Sequence, residues 1–145
     1  MSSLARDLLD PEAYPDPKPA SVSLKETHIS QVFLTDRDVY KVKRPVSFGF
    51  LDFSTLELRR AACEAEVTLN RRLAPDVYHG TVALRRGADG RYTFAGDGEV
   101  VDTAVHMVRL PDRWSALARL QNGLLTGADI DRIAARLARF HAEVR

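Results

Sequence analysis

Apolar and polar residues alternate around Val22 and Leu24 and again around Val32 and Leu34, the period of two that a strand with one buried face requires. Residues 21–34 therefore read as two strands joined by a bend near residues 27–30. The cluster Thr35-Asp36-Arg37-Asp38 reads as a turn. From Val39 strand character resumes, until Pro45 removes an amide donor. On this third strand Val39, Lys41 and Lys43 share one face, while Tyr40 and Val42 share the other. The following segment, residues 47–54 (SFGFLDFS), is too aromatic for an ordinary loop. Phe48, Phe50, Leu51 and Phe53 are expected to anchor it on the core.

A helix follows. Ser54 or Thr55 can cap it, Glu57 suits the positive end of its dipole, and Leu56, Cys63, Val67 and Asn70 recur on one face at helical spacing. Glu66 sits beside that face, and Pro75 closes the helix. Residues 80–94 then read as a hairpin turning at Gly87-Ala88-Asp89-Gly90. The run from Val100 to Val108 is apolar enough for the centre of a sheet, and Pro111 ends it. Beyond Pro111 the period turns helical. Trp114, Leu117 and Leu120 mark a short helix, with Trp114 as a core anchor, stopped by Asn122 and Gly123. The last helix begins at a capping box of Thr126 and Asp129. Ile130, Ile133, Ala134, Leu137, Phe140, His141 and Val144 recur along it, His141 as a packing residue. Such an amphipathic helix at the end of the chain leads us to expect a longer parent protein. At the other end, residues 2–9 form a short amphipathic helix, and Pro11, Pro15, Pro17 and Pro19 make an irregular spacer.

Composition narrows the class. At 145 residues and 45% apolar, the chain has enough core for one domain or a domain and part of another. A net charge of +1 argues against broad attraction to nucleic acid or anionic membranes. Cys63 is the single cysteine, which excludes an internal disulfide framework and a cysteine-rich metal site. Neither a signal peptide nor an apolar run of roughly 18 residues is visible. A cytoplasmic location follows as the expectation.

The candidate chemistry lies in the strand of lysines and the helix of glutamates. Alternating lysines on a strand usually form a solvated face, and helix carboxylates usually keep a surface soluble. Together they are also a means of holding a polyphosphate. His28, His79, His106 and His141 are scattered in sequence, so no metal site is expected. Asp129 and Asp131 are explained by capping and the helix dipole. The pairs Arg59-Arg60, Arg71-Arg72 and Arg85-Arg86 read as solvated surface.

The order of elements resembles the small nucleotide-binding lobe of protein-kinase-like enzymes, followed by the opening of the large lobe. In such enzymes a third-strand lysine contacts the ATP phosphates and is held by a glutamate of the next helix. Val39-Tyr40-Lys41 is similar to the corresponding strand pattern. Glu66 stands seven residues before Leu73, as in the aminoglycoside phosphotransferase branch, although the intermediate leucine is displaced to Leu69. Residues 106–111 (HMVRLP) look like the hinge between lobes, and residues 135–141 (ARLARFH) resemble the helix preceding that branch's catalytic loop. More narrowly, residues 27–34, 39–60 and 69–78 are similar to an uncharacterised bacterial group often fused to a C-terminal P-loop ATPase-like domain.

The resemblance implies an α+β fold: residues 1–20 as an N-terminal arm, residues 21–108 as a small lobe with an antiparallel sheet of about five strands and one packed helix, and residues 109–145 as hinge and first helices of the large lobe. It implies ATP as the ligand, with Mg2+ only once the large lobe is present, and an unidentified small-molecule acceptor. Val39 would cover the adenine, Lys41 or Lys43 would reach the phosphates, and Glu66 would hold the lysine. Ser30, in place of a glycine-rich loop, and the hinge residues Met107 and Arg109 would complete the cradle. No catalytic-loop aspartate, partner asparagine or metal-binding aspartate of the family's pattern occurs, so the chain by itself is expected not to transfer phosphate. The alternative is a non-catalytic interaction or regulatory module on the same scaffold.

Overall fold

A computed structural model describes residues 2–144. Ser2 caps α1 (Ser3–Leu8) by accepting from the Ala5 amide at 3.2 Å. A 3-10 turn (Pro11–Ala13) follows, with proline at its start, where a missing amide is tolerated. This segment is not the spacer expected from its prolines. Leu8 and Tyr14 are fully buried in the main apolar cluster with Phe33, Tyr40, Val42, Leu84 and Ala104, and the Tyr14 hydroxyl donates to the Leu8 carbonyl at 2.7 Å. Proline punctuation marked the irregular backbone correctly but said nothing of where the apolar side chains between the prolines would pack.

The strands are β1 (Ser23–Glu26), β2 (Ser30–Leu34), β3 (Asp38–Lys43), β4 (Ser47–Phe48), β5 (Leu51–Asp52), β6 (Tyr78–Arg86), β7 (Tyr92–Thr93) and β8 (Glu99–Val108). The fold is α+β. Its main sheet is antiparallel throughout and has six strands rather than about five, in the order β1-β2-β3-β8-β6-β7. β7 is the short return of the expected hairpin. β8 lies between β3 and β6, which explains its apolar run. β4 and β5 form a separate two-stranded hairpin. There the expected anchoring is corrected: Phe53 is buried, but Phe48 and Phe50 are 42% and 89% exposed, because the hairpin holds them against each other, with ring centroids 6.1 Å apart.

Thr55 caps α2 (Leu56–Asn70) through the Leu58 amide. The helix ends several residues before Pro75. Its buried face is Arg59, Cys63 and Val67, spaced four apart; Asn70 is exposed. Cys63 and Val67 pack against Val105, Tyr78 and Met107. One face of the sheet is thus covered by α2, and the other by the N-terminal segment.

The first compact unit ends at Arg109, and the second begins at Leu110. The second contains a 3-10 turn (Asp112–Trp114), α3 (Ala116–Gln121) and α4 (Gly127–Glu143). The expected capping box is present at Thr126 and Asp129. None of these three elements buries a residue. Trp114 is 59% exposed, and His141 is exposed as well, so neither serves as the expected core residue. Among the described residues no helix is long and apolar enough to cross a membrane.

Candidate functional site

Strand register assembles the α2 side of the sheet in rows. Leu34, Val39 and Met107 form one row, Val32, Lys41 and Val105 the next, and Ser30 and Lys43 pair beyond them. Directly opposed residues share a face, so the apolar pair Val39 and Met107 lies one step from Lys41, and Lys41 one step from Lys43 and Ser30.

Glu66 reaches this surface from α2. Its Oε1 accepts from Lys41 Nζ at 2.9 Å and its Oε2 from Lys43 Nζ at 2.8 Å. One carboxylate therefore fixes two ammonium groups and leaves the trio with a net charge of +1. The two lysines are not equivalent. The Lys43 side chain is 5% exposed and lies 4.9 Å from the Phe53 ring centroid, while that of Lys41 is 27% exposed. Lys43 is built into the protein, and Lys41 can still meet a ligand.

Burial is the largest single influence on Glu66 and opposes its ionisation. The hydrogen bonds and charges of Lys43 and Lys41 together outweigh it and hold the carboxyl below its ordinary value of 4.5. The neighbouring Cys63 is buried, and desolvation pushes its thiol up to about 11. It is a packing group rather than a nucleophile.

Other expected site residues are distributed unevenly. The hydroxyl of Ser30 is buried without a hydrogen-bond partner among the described residues, an uncommitted donor on the Lys43 row. Met107 faces Val39. Arg109 is engaged elsewhere: its amide donates to the Arg37 carbonyl at 2.8 Å and its guanidinium to the Thr35 carbonyl at 2.6 Å. The Val108 amide donates to the Val77 carbonyl. These donors, expected at a hinge, bind the turn before β3 and the loop before β6. At the bend, Thr27 Oγ1 accepts from the Ser30 amide at 3.0 Å, so a hydroxyl does the ordering work of the absent glycines.

Two groupings were not expected. Arg59 and Asp102 form a buried ion pair at 2.8 Å, although Arg59 reads in the sequence as half of a solvated pair. Its spacing of four from Cys63 was the available signal. Asp38, His79 and His106 also converge, with ligand atoms all within 4.8 Å of one another, so these two histidines are not scattered in space as they are in sequence. Burial, the dominant influence, pushes His106 below its usual value despite the hydrogen bond to Asp38.

Comparison with known proteins finds uncharacterized proteins of Mycobacterium tuberculosis and Mycobacterium bovis, each 33% identical over 130 residues, or 90% of this chain. Those residues are 24% of each relative, so the chain spans about a quarter of the length of the curated relatives it matches. No family profile matches the sequence, and no solved structure matches it.

Proposed function

We propose that this chain is the nucleotide-holding lobe of an aminoglycoside-phosphotransferase-like small-molecule kinase. The observation that carries the reading is the double clamp of Glu66 on Lys41 and Lys43. A lysine on a flexible stem is a poor phosphate ligand until a carboxylate fixes its direction, and here that carboxylate arrives from the next helix. Lys41 contacts the α- and β-phosphates of ATP, Val39 and Met107 flank the adenine, and Lys43 keeps Glu66 oriented. Both Glu66 oxygens are taken by lysines, so Mg2+ is held by carboxylates of the large lobe, which also supplies the catalytic aspartate and the acceptor site. The location is cytoplasmic.

Titration with MgATP of a polypeptide carrying both lobes tests this. Saturable binding is expected, and Lys41→Ala should weaken it by about ten- to a hundredfold, the loss of one charge-assisted hydrogen bond. Lys43→Ala should chiefly lower the melting temperature. No saturable binding, or unchanged affinity in Lys41→Ala, would sink the reading.

A second reading has its own observation. Phe48 and Phe50 are exposed beside Ile29 and line an apolar surface hollow with Thr27 and His28. A non-catalytic interaction module would use that surface. Phe50→Ser, which removes a side chain the fold does not need, would then abolish a complex while leaving MgATP binding unchanged.

A further inference from the structure

The geometry points to a transition-metal site on the sheet face opposite α2, built by Asp38, His79 and His106 and suited to a borderline divalent cation such as Zn2+. Asp38 opens β3, His106 lies on β8 and His79 on β6, three adjacent strands of the main sheet. Asp38 Oδ1 lies 3.0 Å from His106 Nε2 and 3.5 Å from His79 Nε2. Ligands of a tetrahedral zinc ion at 2.0–2.1 Å are about 3.3 Å apart, so the carboxylate oxygen and each imidazole nitrogen are already near the spacing that a shared ion imposes.

The backbone supplies an independent reason to regard this convergence as built. Tyr78 pairs with Met107 and Gly80 with His106, which leaves His79 as the additional residue of a β-bulge. In a bulge two residues oppose one, and the side chain of the first is re-aimed toward that partner. His79 is thereby brought to 4.6 Å from His106, ring centre to ring centre. Gly80 makes the bulge feasible, since its φ of +145° is one that L side chains rarely adopt. On the other side Tyr40 stacks on His106 at 4.6 Å with an interplanar angle of 18°, fixing the imidazole plane. The result is two nitrogen ligands and one oxygen ligand on rigid strands, with an approach from solvent past the half-exposed His79 and a cavity of about 220 Å³ on the Tyr14, Tyr40 and Asp38 side.

The donor set selects the ion. Mg2+ and Ca2+ require oxygen-rich shells, whereas imidazole suits zinc and its first-row neighbours. Water would complete the coordination, as at zinc sites with three protein ligands. Each Nε2 must turn its lone pair to the ion, so a neutral ring carries its proton on Nδ1 when the ion is held. The site lies on the opposite face from the lysine clamp and does not rest on the nucleotide reading.

The test is calorimetric titration of the tag-free, metal-stripped chain with zinc chloride near neutral pH. One saturable equivalent is expected. His79→Ala and His106→Gln should each weaken binding by at least about tenfold, the lower bound for disturbing even the outer partners of a metal site. His28→Ala and His141→Ala should leave it unchanged, and Mg2+ should not compete. His79 is exposed and its substitution should leave the melting temperature of the metal-free protein intact, so a loss of binding there is not a loss of fold. Absence of saturation at millimolar zinc, or stoichiometric binding that survives His79→Ala, overturns the proposal.

Discussion

Glu66→Ala is expected to destabilise the first unit by about 3–5 kcal/mol, the cost of removing one partner from a buried ion pair. At roughly 4–8 °C per kcal/mol for a domain of this size, the melting temperature should fall by more than about 10 °C. Lys43 sets the magnitude. Its side chain is 5% exposed, and without Glu66 the Phe53 ring beside it offsets at most about 2 kcal/mol when desolvated. The native protein also has an acid vulnerability. The folded carboxyl is depressed, so its contribution is fully present above the ordinary value of 4.5 and is lost as the pH falls through the lower folded value. Thermal melts of both proteins between pH 3 and pH 7 should show this acid loss in the native protein and not in the variant. Glu66→Ala with Lys43→Met should recover much of the loss, since a well-packed apolar group replaces the orphaned charge. A single-variant melting temperature within about 2 °C of the native one would mean that the clamp is not a buried charge system.

The sequence carried this site further than it carried the rest of the molecule. Alternation along β3 put Lys41 and Lys43 on one face, and helical spacing set Glu66 beside the packed face of α2, because both periodicities follow from backbone geometry alone. Which lysine is buried was not legible, since that depends on where Phe53 packs, a contact outside the strand. The same limit explains Phe48 and Phe50. Aromatic composition favours burial, but a two-stranded hairpin projecting from the core offers nothing to bury them against. His79 and His106 are 27 positions apart, and a strand bulge brings them together; period-two reasoning has no room for the extra residue that a bulge inserts. The prolines near the N-terminus marked irregular backbone, yet Leu8 and Tyr14 between them complete the core.

Arg59 is the charged residue that simple patterning misplaced, and Arg59→Ala should be nearly as costly as the loss of Glu66, at about 3–5 kcal/mol. Its Nε donates to Asp102 Oδ2 at 2.8 Å, and one terminal nitrogen donates to the Phe53 carbonyl at 3.0 Å and the Ser54 carbonyl at 3.3 Å. The guanidinium thus ties the first turns of α2 to β8 and to the segment that delivers Phe53 beneath Lys43. Burial, the largest influence on Asp102, already raises its carboxyl, and the Thr103 amide and Arg59 offset this only in part. Removing Arg59 should raise it further. A raised carboxyl makes the folded state bind more protons than the unfolded chain, so stability is lost as the pH rises through the folded value. The variant should therefore be most stable under mildly acidic conditions and weaken toward neutrality, opposite in slope to the contribution of Glu66 in the native protein. Arg59→Lys should not rescue, because an ammonium lacks the planar fork that serves the carboxylate and the two carbonyls together, whereas Arg59→Met with Asp102→Leu should. Arg59 also stands seven residues before Glu66, close to two helical turns away on the same side of α2. A helix freed at its start would lose its hold on the orientation of Glu66, so Arg59→Ala should reduce MgATP affinity in a two-lobe polypeptide even under conditions where it remains folded. Full affinity in the folded variant would separate the ion pair from the site and leave it a purely structural tie.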